Sequence, residues 1–104
     1  MLSLDGKGAL IKESTISVGT VNTSLASPRE VFLEAIKNGA VSIILVHNHP
    51  SGNPKPSQND LVVTRKMIEA GKLLGITLVD HIIIGDNKHF SMREYPLYSN
   101  LFDG

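Results

Sequence analysis

Apolar and polar residues alternate in short pieces at the start of the chain, then take helical spacing, then fuse into a solid apolar run. Leu2-Ser3-Leu4 alternates, Asp5-Gly6-Lys7-Gly8 carries turn chemistry, and an extended pattern resumes from Ala9 to Val18. This is the pattern of a β-hairpin. Its first arm is short, as expected of a chain trimmed from something longer or of a brief edge strand. Ser27-Pro28-Arg29-Glu30 predicts a helix start, with Ser27 as N-cap, Pro28 at the first helical position and Glu30 closing a capping box. Val31, Phe32, Ala35 and Ile36 form one apolar face, and Asn38-Gly39 ends the helix. The run Val41-Ser42-Ile43-Ile44-Leu45-Val46 predicts a strand buried on both faces. Ser57-Gln58-Asn59-Asp60 opens a second helix with another Ser-x-x-acid pattern. Leu61, Met67, Ile68, Leu73 and Leu74 are its expected buried side, and Gly75 its stop. A long strand from Ile76 to Ile84 turns at Gly85-Asp86-Asn87 into a short strand near Lys88–Ser91, and the tail from Arg93 has weak pattern. The order is β-β-α-β-α-β-β, an α/β fold with a mixed sheet flanked by helices.

Composition narrows the class. The 104 residues suit one domain over residues 1–104, read as truncated at its N-terminus. A hydrophobic share of 41% is enough for a core, so a disordered tail is excluded. Ten basic residues balance ten acidic ones, so no basic face points to direct nucleic-acid binding. Cysteine is absent, which removes disulfides, thiol nucleophiles and Cys-ligated metals and fits a reducing, cytoplasmic setting. No apolar run has the length of a membrane span.

The chemistry concentrates between His47 and Asp60, where the Pro/Gly-rich loop Asn48–Pro56 follows the apolar strand. His47 and His49 are two apart in an extended segment, so both imidazoles project to the same side. Asp60 falls in the first turn of the next helix, within reach of a folded-back loop. Two imidazoles and a carboxylate make a catalytic zinc set with an open fourth position for water. Bound zinc brings the water's pKa toward ~7 and polarises a carbonyl, and a separate general base is then needed. Taken singly, each residue also has a plainer reading. Strand histidines are commonly surface or packed residues, Asp60 suits a helix N-terminus, and Ser57 is a natural N-cap.

The segment resembles the JAMM motif of JAB/MPN-domain metallohydrolases: His-x-His, ten residues, then Asp, with a Ser three before the Asp. His47, His49, Ser57 and Asp60 match every position. The chain is similar to the RadC branch in particular, through Val18–Asn22, Ser27–Phe32, Ile43–Gly52, Ala70–Gly75 and Asp80–Gly85. The resemblance implies a cytidine-deaminase-like α/β sheet and one Zn2+ held by His47, His49 and Asp60. It implies that Ser57 stabilises the oxyanion of an amide-cleavage intermediate. Relatives in the wider superfamily cleave peptide or isopeptide amides by attack of zinc-bound water, with an upstream glutamate as general base. That glutamate falls ahead of the position of Leu2, so no residue here takes the role. Glu13 reads as exposed, Glu30 as a capping residue and Glu34 as solvated. The family name carries a DNA-repair association. The leading expectation is a zinc-dependent hydrolase acting on a peptide or isopeptide-like substrate. The alternative is a non-catalytic metal- or partner-binding module in DNA metabolism. A nucleobase deaminase is excluded, because its His-x-Glu and paired cysteines are missing. Of the remaining candidates, Asp80-His81 is an orienting pair or a core histidine. His89 and Lys55 read as exposed, Asn48 as facing away from the ligands, and Ser51-Gly52 as fixing the loop's path.

Overall fold

A computed structural model describes residues 1–16 and 27–102. It contains β1 (Leu2–Leu4), β2 (Leu10–Glu13), α1 (Pro28–Lys37), β3 (Ser42–Asn48), α2 (Gln58–Leu74), β4 (Thr77–Gly85) and β5 (Lys88–Ser91), then a 3-10 turn at Ser99–Phe102. The element order and the α/β class are those expected. The end of the Ala9–Val18 arm and the Val18–Asn22 stretch lie outside the described residues. The sheet runs β2-β1-β3-β4-β5, with β3 and β4 parallel and every other pair antiparallel. A parallel pair needs a crossover, and α2 supplies it.

Both helices cover the same side of the sheet. Val31, Phe32 and Ala35 of α1 and Met67 of α2 share one core with Ile43 and Leu45 of β3 and Leu78 of β4. The expectation that β3 is buried on both faces is therefore corrected: Val46 is exposed and Ile44 only half-buried on the uncovered side. Strand side chains alternate between faces, and only one face has helices over it.

The β3–β4 register holds a bulge. Ile43 pairs with Leu78, but Ile44 pairs with Asp80, so Val79 is the extra residue. A bulge resets which residues point inward. Leu78 and His81, three apart, thereby both face the helices, and His81 is fully buried.

The helix starts differ in mechanism. Ser57 forms a complete capping box with Asp60, whereas the Ser27 side chain makes no cap hydrogen bond. The α1 start rests instead on Pro28, whose preset φ suits the first helical position, and on the Val31 N–H donated to the Ser27 carbonyl at 3.2 Å. The sheet-facing side of α2 is Asp60, Thr64, Met67 and Gly71. Leu61 and Ile68 are half-buried, but Leu73 is 88% exposed and Leu74 is also exposed, against expectation. Ile36 of α1 is exposed as well. Ile36 and Leu74 line an open groove between the two helices, while Leu73 lies on α2's outer side. Gly71 brings α2 close to the sheet: a Cβ there would sit 2.1 Å from the Ile76 carbonyl oxygen.

Candidate metal centre

The parallel strand β3 ends at the loop that carries the motif, and sites in such sheets form beyond the carboxyl ends of the strands. The His49 N–H donates to the Ile84 carbonyl at 2.9 Å, which extends the β3–β4 ladder one residue past the strand. His47 and His49 consequently project to one side, their rings perpendicular with centroids 4.9 Å apart.

The loop is clamped to the β4–β5 hairpin. The Gly52 N–H donates to the His49 carbonyl at 3.0 Å, and the Asp86 N–H donates to the Gly52 carbonyl at 2.9 Å. Gly52 sits at φ 85, a left-handed conformation that favours glycine. Gly85 is required by contact rather than by φ, since a Cβ there would lie 2.1 Å from the Gly52 carbonyl oxygen. The clamp places the Asn53 carbonyl 2.8 Å from His49 Nδ1. A carbonyl only accepts, so Nδ1 carries a proton, and the ring turns its Nε2 edge toward Asp60.

Asp60 arrives from α2 with its side chain 1% exposed. Its Oδ2 accepts the Ser57 N–H at 2.8 Å and the Ser57 hydroxyl at 2.9 Å, while the Asp60 N–H donates back to Ser57 Oγ at 3.1 Å. Oδ2 also lies 2.9 Å from His49 Nε2, and Oδ1 lies 3.2 Å from His47 Nδ1. One ligand atom from each of His47, His49 and Asp60 fits within a 4.8 Å span.

This donor set suits a cation. His47 Nδ1 and Asp60 Oδ1 are buried without hydrogen-bond partners among the described residues. His49 Nε2 lies beside the other Asp60 oxygen, which already accepts two hydrogen bonds from Ser57. Buried donor atoms left unpaired are satisfied by a cation placed among them. The protonation states agree. Burial pushes Asp60 up, but the Ser57 N–H and hydroxyl, with His47 and His49 beside it, hold it below the usual carboxylate value. Burial lowers His47, assisted by neighbouring His49 and opposed by Asp60. Both shifts favour the deprotonated forms that bind metal.

The other candidates separate clearly. Asn48, Lys55 and His89 are exposed. Glu13 and Glu30 are exposed too, and Glu34 is half-buried rather than solvated, accepting from the Ser14 hydroxyl at 3.4 Å. The Asp80 carboxylate does not orient the His81 ring. It accepts the His81 and Arg93 backbone N–H groups and the Ser91 hydroxyl, and so ties β4 to the end of β5. His81 itself lies beside the cluster, its ring stacked against His47 with centroids 6.2 Å apart. Thr64, which sequence reasoning missed, bonds to His81 Nδ1 at 2.7 Å. Its signal was positional, one helical turn after Asp60.

Comparison with known proteins gives the same assignment over nearly the whole chain. The family described as RadC-like JAB domain matches residues 1–97. The chain belongs to this RadC-like JAB family. A UPF0758 protein of Methanosarcina mazei is 50% identical over 93 residues, covering 89% of this chain and 41% of the relative. One from Desulforamulus reducens is 53% identical over 96 residues, covering 92% and 42%. One from Caldanaerobacter subterraneus subsp. tengcongensis is 51% identical over 98 residues, covering 94% and 42%. The chain thus spans about two fifths of the length of these RadC-family relatives. Among its described residues, no helix is long and apolar enough to cross a membrane.

Proposed function

We propose that this RadC-like JAB domain is a zinc-dependent hydrolase unit acting on an amide bond in a peptide or isopeptide-like substrate. The observation that carries the reading is the buried, unpartnered pair His47 Nδ1 and Asp60 Oδ1, with His49 Nε2 against the other Asp60 oxygen. His47, His49 and Asp60 would hold one Zn2+. When bound, zinc supplies Lewis acidity toward a water and a substrate carbonyl. The Asn53 carbonyl keeps the His49 ring in its ligating tautomer, the kind of outer contact that orients metal-binding histidines. Ser57 anchors the Asp60 carboxylate and, by turning its one hydroxyl proton away from Oδ2, would donate to a developing oxyanion.

A second reading, a non-catalytic metal- or partner-binding module in DNA metabolism, has its own support. The metal-ligating cluster of described residues contains no glutamate, and Glu13, Glu30 and Glu34 are exposed or engaged elsewhere. The balanced charge supports neither direct DNA contact nor a DNA substrate.

Metal analysis by mass spectrometry, on protein purified without chelator or His-tag, tests the reading. The expected result is about one zinc per chain, lost in His49→Ala. Absence of zinc after reconstitution overturns the metal site. Zinc binding with no amide turnover, in a longer protein that includes the upstream glutamate, leaves the module reading.

A further inference from the structure

We infer that His81 and Thr64 are positioning residues of the metal centre, joining the sheet that carries both imidazoles to the helix turn that carries Asp60. The inference rests on the metal reading above. It starts from a proton count. The Thr64 hydroxyl lies 2.7 Å from the Asp60 carbonyl oxygen and 2.7 Å from His81 Nδ1. A hydroxyl has one proton and a carbonyl oxygen has none. The assignment that satisfies both contacts at once sends the Thr64 proton to the Asp60 carbonyl and has His81 Nδ1–H donate to Thr64 Oγ1. A directed chain runs from His81 through Thr64 to the backbone of Asp60.

The two ends of that chain belong to different parts of the fold. His81 sits on β4 beside Leu45, two residues before His47 on β3. Thr64 sits on α2, one turn after Asp60. The link adds a buried polar tie behind the ligands to the packing that sets the carboxylate's depth relative to the imidazoles. The His81 ring is also stacked behind His47, so the same side chain neighbours one ligand and reaches the backbone of another through Thr64.

Stability alone does not call for a histidine here. Its Nε2 is buried and has no partner among the described residues, whereas an apolar side chain of similar size would leave no orphan. The polar use of the ring is the Nδ1 bond to Thr64.

The test compares Thr64→Val, which keeps the shape and loses the hydroxyl, with Thr64→Ser, which keeps the hydroxyl, and with His81→Phe, all in the intact protein. Zinc affinity is measured by chelator competition, cobalt coordination by its visible absorption, and metal-free stability by thermal melting. Thr64→Val and His81→Phe should weaken zinc by about 10–100-fold and alter the cobalt spectrum, and Thr64→Ser should restore both. Should Thr64→Val not fold, His81→Phe against Thr64→Ser carries the same comparison. Lowered melting temperatures with unchanged zinc affinity and cobalt spectrum would mean a structural role only and overturn the inference. Nitrogen chemical shifts of His81 give a metal-independent check: protonation at Nδ1 is expected, and protonation at Nε2 breaks the chain. A wild-type protein that binds neither metal overturns the parent reading instead, an outcome distinct from a variant-specific loss.

Discussion

Acid should destabilise the metal-free protein through His81 before Asp60 titrates. Burial is the main cause: the ring is fully buried, and its pKa falls from the ordinary 6.5 to about 4. The nearby charge of Asp60 opposes this shift, and that of His47 reinforces it. Between those two values the unfolded chain binds a proton that the folded chain refuses. Stability therefore is complete above about pH 6.5, declines as pH falls, and stops declining near the folded pKa. The difference corresponds to about 3 kcal/mol. That is a large fraction of a typical domain's ~5–15 kcal/mol, so the loss should be plainly measurable. The lowered His47 acts in the same direction. Asp60, held below its usual value, loses its contribution only at more acid pH, outside this window. Urea denaturation in the presence of chelator, at steps between about pH 7.5 and 4.5, reads the profile. Wild type should lose most of the ~3 kcal/mol, and His81→Phe should keep only the shallow slope left by His47. A flat wild-type profile, or equal slopes in the two proteins, would refute the reasoning.

Three further outcomes follow from the same contacts. Gly85→Ala places a methyl 2.1 Å from the Gly52 carbonyl, so it should lift the ligand loop and weaken zinc by at least about tenfold while circular dichroism stays close to wild type. Unchanged affinity would show that the loop clamp does not position His49. Ser57→Ala removes the cap of α2 and one bond to Asp60, and should cost the metal-free protein about 1 kcal/mol in chemical denaturation, with Ser57→Thr largely restoring it. An unaffected alanine variant would count against the capping box as a source of stability. Zinc held at ~100 times its dissociation constant should stabilise wild type by about 2.7 kcal/mol over the chelated protein, with no such gain for His49→Ala. Equal gains in both would place the binding elsewhere.

The local grammar of this fold was legible in the residue order. Gly75 closes α2 in the left-handed conformation, Asn38 and Gly39 close α1, and the Lys88–Ser91 strand stands where alternation and turn residues put it. The candidate site was legible for the same reason. His47 and His49 share a face because strands repeat every two residues, and the Ser57–Asp60 box needs only three residues of spacing. These relations act over a few residues of chain, so spacing alone expresses them.

Other features needed the assembled structure. Nothing in β4's own residues announces that Val79 bulges, because the bulge exists only in the pairing with β3. Yet that bulge helps turn His81 inward. Leu73, Leu74 and Ile36 have the composition of core residues but stay exposed, because burial depends on where two helices meet a sheet. The orientation of the His49 ring follows from a carbonyl four residues away, held there by the β4–β5 hairpin. The bond between Thr64 and His81 joins residues seventeen apart in the chain. Periodicity selects the residues able to bind a metal. Their protonation, depth and mutual orientation come from contacts between elements, which exist only once the helices and strands have packed.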